Sequence, residues 1–589
     1  MKRDNSNLSE LVLYNYQKDG IVRIIEQLKA ENGFLLCDEM GLGKTIQALE
    51  TAKHLELTDP VLIIAPSSCI RVWSQGDIKK FPEFTSHVYI GPLRKHDPKA
   101  KVSITSYDTL LIAYKTYMHV RLDTGQLSND EIIRFCQVNN LKLDHLQHLS
   151  PDPNIYRREL LTLVRKANMK EGKLLNYNQS DLNFMQQKWG LMIMDEVHKI
   201  KNPKSNRCHA IGFINTDYRL GLTGTPIMNH AEDLFSIWKF GLGLFHLDYE
   251  KIKRDPNSAY CQGLIEKYML RRVKSDIEEL KTVLPKRMKT NEDQVLPWYD
   301  GSEQKNLYIQ CKQESLQMYF ALQNLKKNTG ESTFEFNGRK KSLNMTFIGK
   351  MQTLRQICLG ILPHFMHPEI KWSPSVHSVF HPWIQRRVKT ILLSLQGHCK
   401  DVKFSIIREF VALEQKLIQP SPKMMYVYNL LQTHRKIIVF STFKTFLKDV
   451  MQPWLRQIGV LSSLFCGGKR NYQDKALKMF ETEEDVRVLL IVKTAGAEGL
   501  NLQKMANICV IMDPHFNLAL DEQAAQRIDR IGQEKEVIVR KLYMEGSVDE
   551  AIKKMQEVKQ IDIEAWNKKD DVKTIRTHGL YLQKYDTVK

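Results

Sequence analysis

The stretch LLCDEMGLGKT, Leu35–Thr45, decides how this chain is read. Its last residues belong to a phosphate-binding loop. In such a loop successive backbone N–H groups wrap the phosphates, a lysine reaches the β and γ groups, and a hydroxyl holds Mg²⁺. Gly41, Gly43, Lys44 and Thr45 can supply those parts. The apolar run before them makes the strand the loop requires, and IQALETAKHL continues as its helix. The strict pattern wants a glycine where Asp38 stands. Aspartate tolerates unusual backbone angles better than most residues, so on this reading Asp38 keeps the turn.

A second stretch removes most of the case for a chance match. LMIMDEVHK, Leu191–Lys199, is an apolar strand ending in two carboxylates, the pattern of a Walker B element. Asp195 is the expected Mg²⁺ carboxylate, Glu196 the group that orients and deprotonates an attacking water, and His198 the link to the rest of the machinery. Phosphoryl transfer also needs positive charge at the transferred group. DEQAAQRIDRIGQ, Asp521–Gln533, offers it: on a helix Gln523, Arg527 and Arg530 fall at i, i+4 and i+7, on one face, with Gly532 as the stop.

The bulk numbers fit a large protein that meets a polyanion. The 589 residues exceed one core and correspond to roughly three to four domains' worth of chain. Lys and Arg number 86 against 67 Asp and Glu, a formal net charge of +19. Such a surplus favours nucleic acid, because neutralising phosphates releases counterions. No apolar run of membrane-spanning length occurs, and the N-terminus, MKRDNSNLSE, lacks the apolar core of a signal peptide. The ten cysteines form no CxxC pair, so neither a disulfide framework nor structural zinc is expected.

Two regions read as α/β, with short apolar runs separated by helical stretches. Strands are expected at Phe34–Cys37, Val61–Ala65, Val102–Thr105, Leu191–Met194 and Arg219–Leu222, then at Lys436–Phe440, Val486–Val492, Asn507–Met512 and Val537–Leu542. Between them the pattern turns helical, with Tyr308, Cys311, Ser315, Met318, Leu322 and Leu325 on one face; QPSPK, carrying Pro420 and Pro422, reads as a linker. Leu111–Lys188 reads as a polar insertion in the first region. The expected division is a first lobe over 1–285 with the insertion at 111–188, a helical region over 286–420, a second lobe over 421–560 and a tail over 561–589.

The ordered motifs resemble the motor of the Swi/Snf-related branch of the second helicase superfamily. YNYQKDG is similar to the family's adenine-reading element, and DEMGLGKT is the family's own form of motif I, with aspartate at the first-glycine position. VLIIAPSSCIRVW, ITSYDTL, DEVHKIKN and GLTGTP follow in order, then LRRVKSDI with VLPKR, IVFS, AGAEGLNL and QAAQRIDRIGQ. The match runs from about Leu11 to Lys559, with the insertion and parts of the helical middle left out. Its nearest branch by motif is that of repair and transcription-termination motors, some of which carry a RING finger that these cysteines cannot form. Thr494 and Ala497 depart from the family's motif V, which bears on coupling between DNA and ATP.

The resemblance implies an α/β fold of two RecA-like lobes, parallel sheets flanked by helices, joined by a mainly helical middle. It implies a DNA-dependent ATPase using ATP and Mg²⁺. Nucleotide contacts fall on Gln17, on Asp38, Glu39, Met40, Gly41, Leu42, Gly43, Lys44 and Thr45, and on Gln523; the metal falls on Thr45 and Asp195; and catalysis falls on Lys44, Asp195, Glu196, Arg527 and Arg530. Coupling falls on His198, Thr223, Thr225 and Gly499, and nucleic-acid contacts on Ser67, Ser106, Ser441 and Thr494, while Trp73 reads as a lobe-core residue. The partners implied are double-stranded DNA and proteins bound to it (nucleosome, polymerase or repair complex), with no membrane. The place implied is the nucleus, or the replication site for a viral protein. Two other readings weigh less: an RNA helicase of DExH type, against which DEMGLGKT and RIGQ speak, and a non-catalytic transcription or replication adaptor, against which the intact Lys44, Glu196 and Arg527 speak.

Overall fold

The computed structural model describes residues 12–123, 128, 178–203, 205–224, 233–254, 258–283, 290–326, 328, 332–360, 420–467, 470–496, 500, 502–530 and 533–557. The chain divides into two compact units, one built on Met1–Pro285 and the other on Lys286–Glu564.

The first unit is a seven-stranded sheet. Its strands are β1 (Gly33–Leu36), β2 (Val61–Ala65), β3 (Ser86–Tyr89), β4 (Val102–Ser106), β5 (Trp189–Asp195), β6 (Thr216–Leu222) and β7 (Met269–Leu270), in the order β3-β4-β2-β5-β6-β1-β7. Every neighbouring pair is parallel. A parallel sheet is covered on both faces by its crossover helices, which is why β1, β2 and β4 are buried along their whole length. Alternation divides them between two cores: Phe34, Leu36, Ile63 and Ile193 pack on one face, Leu35, Leu62, Met192 and Met194 on the other.

Register decides the function of this sheet. Leu36 of β1 pairs with Leu222 of β6, and Leu222 pairs with Asp195 of β5. Three strands therefore end flush, and the residues that follow them (the loop from Cys37, Thr223, and Glu196) leave the same edge. Ligands of open parallel sheets bind outside these carboxyl ends.

The second unit is a six-stranded sheet of β8 (Thr290–Leu296), β9 (Ile437–Ser441), β10 (Leu461–Phe465), β11 (Val486–Val492), β12 (Ile508–Ile511) and β13 (Ile538–Met544), ordered β10-β11-β9-β12-β13-β8. It too is parallel throughout, and its central strands pack between two cores. All nine expected strands are present. Four more are found, and their sequences explain the omission. SHVY, ML, TNEDQVL and LSSLF are short or polar, and pairing with a neighbour rather than apolar content makes them strands. The middle region thus opens with a strand of the second sheet before it becomes helical.

That helical part consists of Glu303–Gln323 and Thr333–Leu359, the second opened by a capping box between Ser332 and Glu335. Tyr308, Cys311, Leu354, Ile357 and Cys358 pack with Met544, Val548 and Ile552, so the pair belongs to the second unit. QPSPK is a helix start rather than a linker. Ser421 Oγ accepts from Met424 N at 3.3 Å, and Pro422 stands in the first turn of Pro422–Thr433. In the insertion, helix Tyr107–Asp123 runs past Leu111 and helix Gln179–Gln186 precedes β5; residues 124–127 and 129–177 lie outside the described part.

Behind the carboxyl edge of the second sheet lies a buried ion network. Arg355 Nη2 donates to Asp513 Oδ2 at 3.1 Å and to Pro514 O at 2.7 Å, with its guanidinium 5.2 Å from the ring centres of Phe443 and of Phe516. Lys493 Nζ donates to Asp521 Oδ1 at 2.7 Å, and Thr442 N donates to Asp513 Oδ1 at 3.1 Å. Burial alone would raise the Asp513 carboxyl, but Lys493 and Arg355 outweigh it and hold it below the usual carboxylate range. The network ties the ends of β9, β11 and β12 to the helix Leu518–Ala525.

Candidate nucleotide site

The loop between β1 and the helix Lys44–His54 is built by its glycines. Gly41 has φ +91° and Gly43 φ +75°, a left-handed conformation that a side chain resists. A Cβ at Gly43 would also meet Gln17 Nε2 at 2.4 Å. Lys44 Nζ donates back to the loop, to Asp38 O at 2.6 Å and Glu39 O at 3.3 Å. Burial pulls its ammonium below the usual lysine range, against the opposing pull of Glu196, Asp38 and Asp195. Gly224 lies across from it: a Cβ there would stand 3.6 Å from Lys44 Nζ and 2.8 Å from Met40 Cγ.

Asp38 corrects the reading of the loop. The described residues with positive φ other than glycine are Asn32 and Glu196, so Asp38 is not there for backbone tolerance. It is there for its carboxylate. Fully buried, it accepts from Arg272 Nε at 2.9 Å, from Arg272 Nη2, and from Gln47 Nε2 at 3.1 Å.

On the neighbouring strand Asp195 Oδ2 accepts from Trp73 Nε1 at 2.8 Å, and Oδ1 accepts from Glu196 N at 3.0 Å. Burial, then the Glu196 carboxylate beside it, push Asp195 up to about 7. Glu196 sits in the left-handed region at φ +50°, an uncommon conformation for a residue with a side chain. His198 Nδ1 lies 3.0 Å from Thr223 Oγ1 and 3.4 Å from Glu196 Oε2, so one imidazole bridges the ends of β5 and β6. Two crowded carboxylates, one of them pushed up, fit a divalent cation. Asp195, with lone pairs remaining on both oxygens, and the Thr45 hydroxyl at the helix start are the residues that would hold Mg²⁺.

In the second unit the candidate residues do not share a helix face. The helix covers Leu518–Ala525 and ends before Arg527 and Arg530, which stand in the following turn and bend. Competing partners for the backbone explain the early stop. Arg527 N and Ile528 N bond three residues back, to Ala524 O at 3.2 Å and Ala525 O at 3.3 Å; Arg527 O accepts from Leu502 N at 3.2 Å; and Gln533 Nε2 takes Ile528 O at 3.2 Å. Gln533 also donates to Ala506 O at 3.2 Å, so the glutamine of RIGQ clasps this turn to the chain just before β12. Gln523 is 1% exposed, and neither of its amide atoms has a hydrogen-bond partner among the described residues. A polar pair left so in a core is what a ligand would satisfy.

Gln17 caps its own helix, its Oε1 accepting from Tyr14 N at 3.1 Å and its Nε2 donating to Leu42 O at 3.2 Å. Of the serines and threonines assigned to nucleic acid, Ser67 and Thr494 are exposed. Ser106 and Ser441 are buried, the first bonded to Thr109 at 2.9 Å and the second accepting from Phe443 N at 3.2 Å. Thr225, Gly499 and Gly532 lie outside the described residues.

Residues 16–360 match the SNF2-related domain, and residues 422–532 match the helicase conserved C-terminal domain. The chain belongs to the SNF2-related family. It carries that family's helicase-like ATPase core. It is 23% identical over 580 residues to DNA excision repair protein ERCC-6-like of Danio rerio, covering 92% of this chain and 35% of that one. It is 25% identical over 559 residues to nuclear protein STH1/NPS1 of Saccharomyces cerevisiae, covering 92% and 34%. This chain thus spans about a third of the length of these relatives. Among solved structures, the Sulfolobus solfataricus SWI2/SNF2 ATPase core in complex with dsDNA is 20% identical over 96% of this chain and 100% of that one, at a TM-score of 0.35.

Trp73 is the residue of this SNF2-related site that sequence reasoning left in the core. Its ring is indeed buried, at 1% exposure, but its N–H reaches Asp195 from 122 positions away in sequence. No local pattern signals such a bond. Trp73→Phe keeps the packing and removes the donor that lowers the Asp195 pKa. A hydrogen bond to a charged group contributes about 1.5–3 kcal/mol, so ATP turnover at limiting Mg²⁺ is expected to fall about tenfold at pH 7. Since Asp195 then titrates higher, the deficit should shrink at pH 8.5; Mg²⁺ titrations of turnover at both pH values check this.

Proposed function

We propose that this chain is an ATPase stimulated by double-stranded DNA, which moves along the duplex to displace or remodel proteins bound there. The observation that carries the reading is the flush edge of β1, β5 and β6. It gathers the glycine loop with Lys44, the Asp195–Glu196 pair and the His198–Thr223 bridge in one place.

In this mechanism Lys44 leaves its carbonyl partners for the phosphates, and Gln17 takes the base. Asp195 and Thr45 are the residues that would hold Mg²⁺, which when bound would neutralise charge on the phosphates. Glu196 holds and deprotonates the attacking water, and Arg527 and Arg530 balance the charge that develops on the transferred group. His198, bonded to Thr223, relays the state of Glu196 to the adjoining strand end. The net charge of +19 supports a polyanionic track. The nuclear location, the exposed Ser67 and Thr494 as backbone contacts, and a chromatin, transcription or repair complex as target belong to the same proposal.

The test is steady-state ATP hydrolysis by the full chain with no nucleic acid, with duplex DNA, with single-stranded DNA and with RNA. Strong stimulation by duplex alone is the expected result. Preference for RNA with strand separation would establish the helicase reading instead, and no hydrolysis under any condition would leave an adaptor.

A further inference from the structure

The loop at Leu42 is held from behind by three donors. Tyr16 Oη, Gln17 Nε2 and Gln47 Nε2 all point at Leu42 O, at 3.1, 3.2 and 3.3 Å. A carbonyl has two lone pairs, so one of the three is surplus. Gln17 is the one the proposed mechanism requires elsewhere, at the base. Once it turns away, the carbonyl keeps Tyr16 and Gln47, provided those two stay in place.

A single residue holds both. Arg272 Nη2 donates to Gln47 Oε1 at 2.7 Å, its Nη1 donates to Tyr16 O, and its guanidinium lies 5.2 Å from the centre of the Tyr16 ring. The same guanidinium grips Asp38, at the root of the loop, through Nε and Nη2. Its own position is set by backbone pairing: Cys37 N donates to Leu270 O at 2.7 Å and Glu39 N to Arg272 O at 2.8 Å, so the chain after β7 runs alongside the loop. Space is made for it at Gly20, where a Cβ would come within 2.4 Å of Gln47 Oε1 and 2.7 Å of Arg272 Nη2.

We propose that Arg272 is a positioning residue for nucleotide selection, keeping the phosphate loop set through Tyr16 and Gln47 while Gln17 engages the base. This rests on the reading of the site as an ATP site. With Arg272 present, base binding and phosphate binding add. Without it, a Gln17 that turns to the base removes support from the loop, and the two compete. A flat fork with donors on several edges is needed, which lysine cannot supply.

The test compares two ligands on the full chain, ATP and inorganic tripolyphosphate, by competition against a fluorescent adenine nucleotide. Wild type should bind ATP more tightly than tripolyphosphate. In Arg272→Gln and Arg272→Lys the ATP advantage should shrink about tenfold or more, while tripolyphosphate affinity changes by less than about threefold. Gly20→Ala leaves Arg272 in the sequence but intrudes on its seat; it should show the same selective loss, and it decides the matter if the Arg272 variants do not fold. Equal losses for both ligands, or an unchanged ratio in a folded variant, would overturn the inference and leave the ATP site standing. Wild type that binds neither ligand would overturn both.

Discussion

Arg527→Ala is expected to lower ATP turnover by about 10³–10⁵-fold, the range an arginine supplies when it neutralises charge on a transferred phosphoryl group. Arg527 is 2% exposed, and its carbonyl is fixed by Leu502 N at 3.2 Å, so its side chain leaves from an anchored turn rather than a mobile one. Alanine keeps that backbone bond but removes the whole side chain beyond Cβ, packing as well as charge, from a buried position. Nucleotide affinity should change far less than turnover, because the charge is needed most in the transition state. Lysine should restore little, since it lacks the planar fork. The measurement is duplex-stimulated steady-state hydrolysis beside nucleotide binding, with a denaturant titration to show that the second unit remains folded. Turnover within tenfold of wild type would remove Arg527 from the chemistry.

The second large effect is Glu196→Gln. A positioned general base contributes about 10²–10⁴-fold, and the amide cannot take the proton from water. Everything around it favours a clean substitution. Glutamine has the same shape, Glu196 is 7% exposed at a strand end, and its backbone N–H remains bonded to Asp195 Oδ1 at 3.0 Å. Removing one of two crowded carboxylates should also bring Asp195 down from about 7 toward its ordinary range, since Glu196 is the second cause of that shift after burial. Turnover should therefore fall by two to four orders of magnitude, while Mg²⁺–nucleotide binding at pH 7 is retained or strengthened. Loss of binding in parallel with turnover would mean that Glu196 holds the site together rather than activating water.

Both predictions rest on residues that the sequence reading named, yet the two were not equally legible. Glu196 follows an apolar strand in a pattern whose spacing is local, and the register of β5 on β6 then sets it beside Thr223. Arg527 was placed on a helical face with Gln523 and Arg530. The helix instead stops at Ala525, because the backbone beyond it is claimed by Gln533 and Leu502. Helical spacing describes a chain whose carbonyls have no better offer; here they have one from residues distant in sequence. QPSPK fails as a linker for the opposite reason, since Ser421 and Pro422 make a helix start that a breaker-based reading passes over.

Sequence by itself determined the two parallel sheets, through nine largely apolar runs, and the chemistry of the phosphate loop, through glycines whose positive φ admits few substitutes. These are properties of short stretches, set by periodicity and backbone sterics. Only the tertiary structure decided why Asp38 replaces a glycine, which residue supports Asp195, and what holds Leu42 from behind. Asp38 meets Arg272 across 234 positions, Trp73 meets Asp195 across 122, and Tyr16 and Gln47 converge on one carbonyl from two different helices. A buried carboxylate or carbonyl must find its partner wherever the fold brings one, and that distance in sequence is set by the order of strands in the sheet.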